Sequence, residues 1–376
     1  MKTMTRKTTT VAALAGAALL MTGCELPIGI ETEQTGYRGL GMEQVTKRHL
    51  EAMKRSGMEI PEPERPAAAA GPRAGDIYEN VKVLGDLNIS EFNRLMNAIT
   101  AWVAPEEGCN YCHTPGNFAD ENVYTKIVSR RMLEMTYTIN QEWTAHVGET
   151  GVTCYTCHMG NPVPENIWYE DPGFKQAGAF AASRMGRTWS GTNVASASLP
   201  NDVFTPFLQG DEPKNIRVTP RPRCRWVTIR TTWWTSEWVH GLMIHFSVAL
   251  GANCTTCHNT NNFPEWQTSP PQRVTAWHGI EMVRALNNQY LNPLQPEYPD
   301  YRLGPTGDAP KTNCATCHNG LQLPLDRAQM LKDYPELNRV NHRGAQPALP
   351  PALLLKLPVT QMRRLSKGNS SYLSAE

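Results

Sequence analysis

Apolar residues recur at helical spacing in three stretches of the chain and predict three amphipathic helices. Ser90 is a candidate N-cap for the first helix, Pro105 ends it, and Ser236 is a candidate N-cap for the third. The apolar stripes are Phe92, Leu95, Met96, Ile99 and Val103; Met132, Met135, Ile139, Trp143 and His146; and Val239, Leu242, Met243, Phe246 and Leu250. The chain also has 29 prolines, which favour long loops. The pattern therefore predicts a mainly α fold with extensive loops.

A weak internal repeat predicts a fourth helix. Residues 133–140 of the second helix align with residues 280–287, so that Met135 matches Met282. Because the two methionines share a position in the repeat, we expect both to be packing residues.

Composition excludes several classes of protein. The chain has 376 residues and is 40% apolar, which is enough for a buried core and argues against wholesale disorder. Lysine and arginine total 36 against 35 aspartates and glutamates, so there is no reason to expect a nucleic-acid partner. Ten cysteines are too many to be incidental and too few for a disulfide-stapled miniprotein.

The N-terminus is typical of a bacterial lipoprotein signal. Three basic residues precede an apolar run at 11–21, which is too short to span a bilayer. The run ends in MTGC, which predicts a signal peptide over 1–23 and lipid modification at Cys24. An ordinary signal peptide and an uncleaved anchor are the alternatives. We expect an exported chain, and no later stretch of the sequence is apolar for long enough to cross a membrane.

Four copies of C-x-x-C-H give the strongest indication of chemistry. On a helical turn, positions i, i+3 and i+4 share one face, so two thiols can form thioethers to haem vinyl groups while the imidazole reaches the iron. Zinc sites and redox dithiols are the alternatives, but neither requires a histidine in all four cases. The sequence therefore predicts four covalently bound haem c groups. The predicted attachment and proximal residues are Cys109, Cys112 and His113; Cys154, Cys157 and His158; Cys254, Cys257 and His258; and Cys314, Cys317 and His318.

Sixth ligands decide between an electron carrier and an enzyme, and methionine and histidine are the usual candidates. Met96 lies 17 residues before the first motif's histidine, and Met243 lies 15 residues before the third motif's. A methionine on such a stripe is more often a core residue, but the similar distances favour ligation. Met132 lies on the predicted helix before the second motif, 26 residues before that motif's histidine. His245 is an alternative to Met243, although it lies two residues off the apolar stripe.

The fourth motif lacks a methionine where the second has Met132, because the repeat puts Gly279 at that position. His146 is the free candidate for this haem, 14 residues beyond Met132 on the same predicted helix. Met282 and His278 remain alternatives.

Spacing after the motifs pairs the first with the third and the second with the fourth. A phenylalanine follows His113 and His258 by five residues, and a glycine follows His158 and His318 by two. The repeat predicts two dihaem halves related by a pseudo-two-fold axis. The predicted divisions are a signal peptide at 1–23, an N-terminal arm and linker at 24–75, haems 1 and 2 at 76–165, a connector at 166–235, haems 3 and 4 at 236–325, and a C-terminal tail at 326–376.

Two segments fit this organisation poorly. Residues 217–238 are rich in arginine and tryptophan and contain Cys224, which neither the motifs nor the lipoprotein signal uses. An exported chain argues against nucleic-acid binding there, so we interpret the segment as a variant loop or an error in the sequence. From Arg339 the chain is basic and rich in proline, which predicts an extended or disordered tail.

Over roughly residues 75–335, the sequence resembles the tetrahaem cytochrome c subunit of purple-bacterial photosynthetic reaction centres. The resemblance rests on SRRMLEMTYTINQEWTAHVGETGVTCYTCHMGNPVP, EGCNYCH, GLMIHFSVALGANCTTCHN, and RVTAWHGIEMVRALNNQYL before NCATCHNG. It implies Met96, Met132 and Met243 as sixth ligands of haems 1, 2 and 3. It implies His146 as the sixth ligand of haem 4.

The resemblance also implies an electron carrier rather than an enzyme. The subunit would be lipid-anchored at the periplasmic face of the photosynthetic membrane and would take electrons from a soluble c-type cytochrome or a high-potential iron–sulfur protein. It would re-reduce the photo-oxidised bacteriochlorophyll pair held by the reaction-centre membrane subunits. A multihaem reductase, which needs an iron with an open position, is one alternative. A respiratory conduit is another, and only its partners would distinguish it.

Overall fold

The computed structural model describes residues 29–34, 43–68, 70–171, 202–210, 216 and 225–338. The predictions for Cys24, Cys224 and the tail from Arg339 lie outside these residues.

Helices dominate the described residues, as the apolar stripes predicted. They are α1 Arg48–Ser56, α2 Ala74–Ile77, α3 Ile89–Val103, α4 Tyr124–Glu142, α5 Thr144–Val147, α6 Cys154–His158, α7 Thr205–Leu208, α8 Arg225–Leu250, α9 Gln272–Leu286 and α10 Cys314–His318. A π turn at Asn287–Leu291 continues α9. The shorter 3-10 turns include Gly108–Tyr111, Cys254–Thr256, Pro324–Arg327, Met330–Lys332 and Pro335–Asn338.

The N-cap of α3 is Asn88 rather than Ser90. Its side chain accepts a hydrogen bond from the Glu91 backbone N–H at 2.9 Å, and the Glu91 carboxylate accepts one from the Asn88 N–H at 3.2 Å. Asparagine and serine are both good caps, but only Asn88 has a glutamate three residues later to complete the reciprocal capping box. The predicted cap at Ser90 is therefore wrong, and Ser90 lies inside the helix.

The single helix predicted from Met132 to His146 is two helices. α4 ends at Glu142, and Trp143 leaves the helical region with φ −107° and ψ 26°. α5 then begins at Thr144 and carries His146 as a separate short element. The prediction that both candidate ligands share one continuous helix is therefore wrong.

α8 begins at Arg225, well before the predicted cap at Ser236. Residues 225–235 contain neither glycine nor proline, so nothing in the stretch interrupts a helix. Their backbone is helical, and the variant-loop prediction is wrong for this part of the segment.

Two small antiparallel sheets join distant parts of the chain. β1 Ile30–Gln34 pairs with β2 Glu43–Lys47, and β3 Ile167–Trp168 pairs with β4 Lys311–Thr312. Because β4 runs almost directly into α10, the second sheet fixes the approach to the fourth motif.

The first core cluster lies between α3, α4 and the segment 325–338. Its buried residues are Val83, Leu84, Leu87, Leu95, Ala98, Trp102, Leu133, Tyr137, Tyr155, Leu325, Met330, Leu331, Tyr334 and Leu337. Residues 326–338, which we had assigned to a tail, supply four of these side chains. Arg94 of α3 also binds this segment, through the Glu336 carboxylate at 3.1 Å and the Asp333 carbonyl at 2.7 Å. Residues 326–338 are therefore part of the folded core.

The second core cluster joins α7, α8 and α9. Its buried residues are Ile139, Val152, Trp168, Phe207, Leu208, Leu242, Ile280, Met282, Val283, Leu286 and Tyr290. The N-terminal arm is bound close to the third and fourth motifs, because Thr256 donates to the Gln44 side chain and Lys54 donates to the Gly320 carbonyl at 3.2 Å.

Contacts group the described residues into one compact unit, which contains the boundaries predicted at 165 and 235. Among the described residues, no helix has the length and apolar character needed to cross a membrane.

Candidate haem sites

All four motif histidines direct Nδ1 at a backbone carbonyl. The partners are Phe118 for His113 at 3.2 Å, Asn161 for His158 at 2.9 Å, Phe263 for His258 at 3.2 Å and Leu321 for His318 at 3.0 Å. A carbonyl oxygen only accepts hydrogen bonds, so each contact keeps the proton on Nδ1 and leaves the lone pair on Nε2. This is the arrangement in which an imidazole binds a metal and a neighbouring group fixes its orientation.

The first and third motifs share one local geometry. Each begins in a 3-10 turn, and the histidine ring packs on the phenylalanine five residues later. The ring centroids are 4.8 Å apart for His113 and Phe118 and 5.2 Å apart for His258 and Phe263, with an interplanar angle of 33° in both pairs. The first and third motifs, which spacing had paired, therefore have similar local surroundings.

The second and fourth motifs share a different geometry, in which the motif itself is a short helix. Gly160 and Gly320 follow with φ of 82° and 81°, a conformation that glycine adopts without strain. The Gly160 N–H donates to the Trp102 carbonyl at 2.9 Å, and the Gly320 N–H donates to the Ala249 carbonyl at 2.7 Å. The second motif is thereby bound to the C-terminal end of α3, and the fourth motif to the C-terminal end of α8.

Two buried asparagines, to which sequence analysis gave no role, bind the backbone two residues before each of these motifs. Asn140 exchanges two hydrogen bonds with the Val152 backbone at 3.0 and 2.8 Å. Asn287 exchanges the same two with the Thr312 backbone at 3.0 and 2.9 Å. The sequence repeat aligns Asn140 with Asn287, and this shared polar position was the signal that could have predicted a common role.

Gly279 of α9 makes room for the ring of His146. A Cβ built at Gly279 would lie 2.5 Å from His146 Cε1 and 2.8 Å from Nδ1. His146 Nδ1 donates to the Thr275 carbonyl, one turn earlier on α9, at 2.9 Å. Nε2 of His146 therefore keeps its lone pair, as in the four motif histidines.

The structure brings His146 and His318 together, with ring centroids 6.0 Å apart. Two metal–imidazole bonds of about 2 Å, with half a ring at each end, span roughly the same distance. Burial lowers the pKa of His318 to about 4, the nearby His146 adds to this, and burial also lowers the pKa of His146. Both rings are thus neutral at pH 7, which is the form that binds a metal. The pair fits a shared haem iron.

A cavity of about 710 Å³ is lined by residues of all four motifs. Met96 of α3 and Met132 of α4 are in its wall, as are His113, His158 and His318. An apolar cavity walled by cysteines, histidines and methionines suits covalently held haem. Met135 and Met282, which we had expected to be packing residues, also line the cavity while contacting the second core cluster.

Met243 and His245 face different surroundings. Phe246 and Leu250, which share the helical face of Met243, line the cavity, although Met243 itself and His258 are not in its wall. His245 instead packs its ring against Phe204, with centroids 4.6 Å apart. Burial lowers the pKa of His245 to about 4, and its Nε2 has no hydrogen-bond partner among the described residues.

Two of the motif cysteines, Cys109 and Cys254, are exposed, and the other six are half-buried. Burial raises the pKa of Cys154 and of Cys314 to about 12, so both thiols are protonated at neutral pH. Cys157 and Cys317 are joined by a disulfide that links the second and fourth motifs. Haem attachment would use these same two sulfurs, so it requires the pair as thiols. In the described part of the chain, no three histidine, cysteine or acidic side chains converge as they would around zinc.

Comparison with known proteins identifies relatives over most of the chain. A sequence profile of the family described as photosynthetic reaction centre cytochrome C subunit matches residues 25–338. The photosynthetic reaction center cytochrome c subunit of Rubrivivax gelatinosus is 49% identical over 321 residues, which cover 85% of this chain and 87% of the relative. Those of Thermochromatium tepidum and Roseobacter denitrificans are 45% and 40% identical, cover 87% of this chain each, and are themselves covered over 79% and 90%.

The matched region contains all of the motifs whose geometry is described above. The profile includes all four C-x-x-C-H motifs and every candidate sixth ligand that the structure describes. The chain therefore belongs to the photosynthetic reaction centre cytochrome c subunits, a family of electron carriers with covalently bound haem c.

Proposed function

We propose that this protein takes electrons from a soluble periplasmic carrier and re-reduces the photo-oxidised bacteriochlorophyll pair through four haem c groups. Each haem, when bound, supplies an iron that accepts and releases one electron. The observation that carries the proposal is the common orientation of the four motif histidines, which all present Nε2 with Nδ1 held by a carbonyl. The donor would be a small c-type cytochrome or a high-potential iron–sulfur protein.

The proposed ligand set gives every iron two protein ligands. His113, His158, His258 and His318 would be the proximal ligands, and Met96, Met132, Met243 and His146 the sixth ligands of haems 1 to 4. Met96 and Met132 are supported as ligands because they line the cavity. Met243 is supported because Phe246, on the same face of α8, lines the cavity, and His146 because its ring occupies the space beside Gly279. With both axial positions taken, a reductase reaction at an open iron has no site, which favours a carrier.

The four haems would form two pseudo-symmetric pairs. The paired asparagine clamps and the paired histidine environments support a pseudo-two-fold relation between residues 76–165 and 236–325. The Cys157–Cys317 contact supports haems 2 and 4 as neighbours in the middle of the row. Haem 1 would then lie beyond haem 2, and haem 3 beyond haem 4.

The carrier would be anchored to the membrane rather than cross it. Cys24 is the proposed site of acyl chains, which would hold the protein on the periplasmic face beside the reaction-centre subunits. A respiratory conduit would show the same haem chemistry, and the family match favours the reaction centre as partner.

Purification from photosynthetic membranes tests the proposal. We expect the protein to copurify with bacteriochlorophyll, with four covalent haems and an acylated Cys24 by intact mass. Replacing both Cys109 and Cys112 by alanine should remove one haem, whereas Cys224→Ala should remove none, because it lies outside the motifs. Three haems in the unaltered protein, or a haem protein free of bacteriochlorophyll, would contradict it.

A further inference from the structure

Lys126 is a cation in an unfavourable place. Its side chain is buried at 6% exposure in the first turn of α4, where the helix dipole is positive and repels a cation. Buried lysines are rare because their charge loses its hydration. Among the described residues, no carboxylate lies within 4.0 Å of Lys126 to form an ion pair. Burying a charged lysine at this position is energetically unfavourable, so packing alone does not explain why the residue is there.

The Lys126 ammonium binds two backbone carbonyls in the loop after the first motif. It donates to the Phe118 and Asp120 oxygens, both at 2.7 Å. The Phe118 oxygen is the same atom that accepts the hydrogen bond from His113 Nδ1 at 3.2 Å. One carbonyl oxygen therefore connects a buried positive charge to the proximal histidine of the first haem site.

This shared oxygen links the charge of Lys126 to the iron in two ways. A cation bound to the carbonyl draws electron density from it, so the oxygen attracts the Nδ1 proton less and the imidazole becomes a poorer electron donor. The charge also acts directly, because a ferric iron carries one more positive charge than a ferrous iron. Both effects favour the ferrous state.

The other motifs provide a contrast within the molecule. Arg273 donates to the Phe263 carbonyl at 3.1 Å, so the third motif has a comparable contact. The carbonyls of Asn161 and Leu321, which serve the second and fourth motifs, receive no cation from the described part of the chain. The contact is therefore not a general requirement of the haem motif.

We propose that Lys126 is a positioning residue that raises the reduction potential of the first haem through the Phe118 carbonyl. The proposal rests on the proposed function only in taking His113 as the proximal ligand of a haem. Raising this potential would keep the first haem reduced more of the time and would set which soluble donors can reduce it.

A spectroscopic redox titration of the four haems in the purified complex tests the proposal. In Lys126→Met, the potential of one haem should fall while the other three stay unchanged. The same haem should be the one that moves in Met96→His. Lys82→Met is the matched control, because Lys82 carries the same charge nearby but is exposed and pairs with Glu121 at 3.4 Å. We expect no measurable shift in the control.

Lys126→Gln separates the charge from the hydrogen bond, since the amide can still donate to the carbonyl. Four haems with a lowered potential of the first haem would support the proposal. Unchanged potentials, or loss of the first haem in both Lys126 variants, would overturn it and assign Lys126 a structural role. Neither result would affect the proposed function, which is tested by the haem count of the unaltered protein and its copurification with bacteriochlorophyll.

Discussion

The absence of a side chain at Gly279 leaves room for the ring of His146. The sequence repeat marked Gly279 only as a missing ligand, whereas the structure uses the missing side chain to seat His146 against α9. The Thr275 carbonyl then holds the ring by Nδ1. The glycine at position 279 therefore accounts both for the missing methionine and for the space that the His146 ring occupies.

Gly279→Ala should displace His146 without unfolding the protein. The new Cβ would meet the far end of a flexible side chain at 2.5 Å, so the ring would move rather than the backbone. We expect the bis-histidine signal in electron paramagnetic resonance to change or vanish. Gly71→Ala is the control, because its Cβ would lie 3.7 Å from its nearest neighbour, an ordinary contact. An unchanged signal in Gly279→Ala would argue against His146 as a ligand.

His146→Met should raise the potential of one haem and convert its spectrum from bis-histidine to histidine–methionine, because a thioether favours the ferrous state. Redox titration combined with magnetic circular dichroism would follow both changes. A variant that still contained one unaltered bis-histidine haem would mean that another residue, such as His278, holds the fourth iron.

Residue-level prediction worked where the chemistry is local in sequence. The haem motifs, and the likeness of the first motif to the third, follow from fixed short spacings. The meeting of His146 with His318 was also predicted, but from a repeat and a family resemblance. The contacts to Thr275 and to Lys126 were missed, because any residue can supply a backbone carbonyl and sequence gives no sign of which one will.

At the scale of elements, the asparagine clamps should stabilise the approach to each even-numbered motif. Asn287→Ala removes two buried hydrogen bonds to Thr312 and one to the Leu208 carbonyl. The Thr312 carbonyl keeps the hydrogen bond from Trp168 Nε1 at 2.9 Å, but the buried Thr312 N–H loses its partner, which should cost about 1–3 kcal/mol by the usual penalty. Asn288→Ala removes an equivalent but exposed clamp to Gly210 and should have little effect. Denaturant unfolding of the two variants makes the comparison, and equal losses would contradict it.

The boundaries of elements were predicted less well than their existence. The apolar stripes found α3, α4 and α8, since burial of one face gives a periodic signal. The starts of α3 and α8 were misplaced, because a serine near a stripe is a cap only when the preceding chain leaves the helix. No proline or glycine marks the break between α4 and α5 at Trp143, so we attribute the break to tertiary packing rather than to the local sequence.

At the scale of the whole molecule, residues 324–338 close the first core cluster through Arg94 and Glu336. Both side chains are almost fully buried, at 8% and 4% exposure. Arg94→Met would leave the Glu336 carboxylate without its partner and should destabilise the fold by about 3–5 kcal/mol. The double variant Arg94→Met with Glu336→Gln should recover part of the loss in thermal unfolding. Arg48→Met, which breaks an exposed pair with Glu31, should change little.

The family and the mainly α fold could be predicted from sequence because the motifs and stripes repeat along the chain. The placement of residues 326–338 could not, since their core role depends on contacts such as Arg94 with Glu336, far apart in sequence. A basic, proline-rich composition indicates a tail only where no residue distant in sequence contacts the segment and buries it.

Flash photolysis of the purified membrane complex tests the central claim most directly. After a flash oxidises the bacteriochlorophyll pair, we predict that the pair recovers in step with the oxidation of a c-type haem of this protein. The haem should then be re-reduced when a soluble donor is added. Recovery of the pair with no matching haem oxidation, in a complex that retains its four haems, would contradict the account.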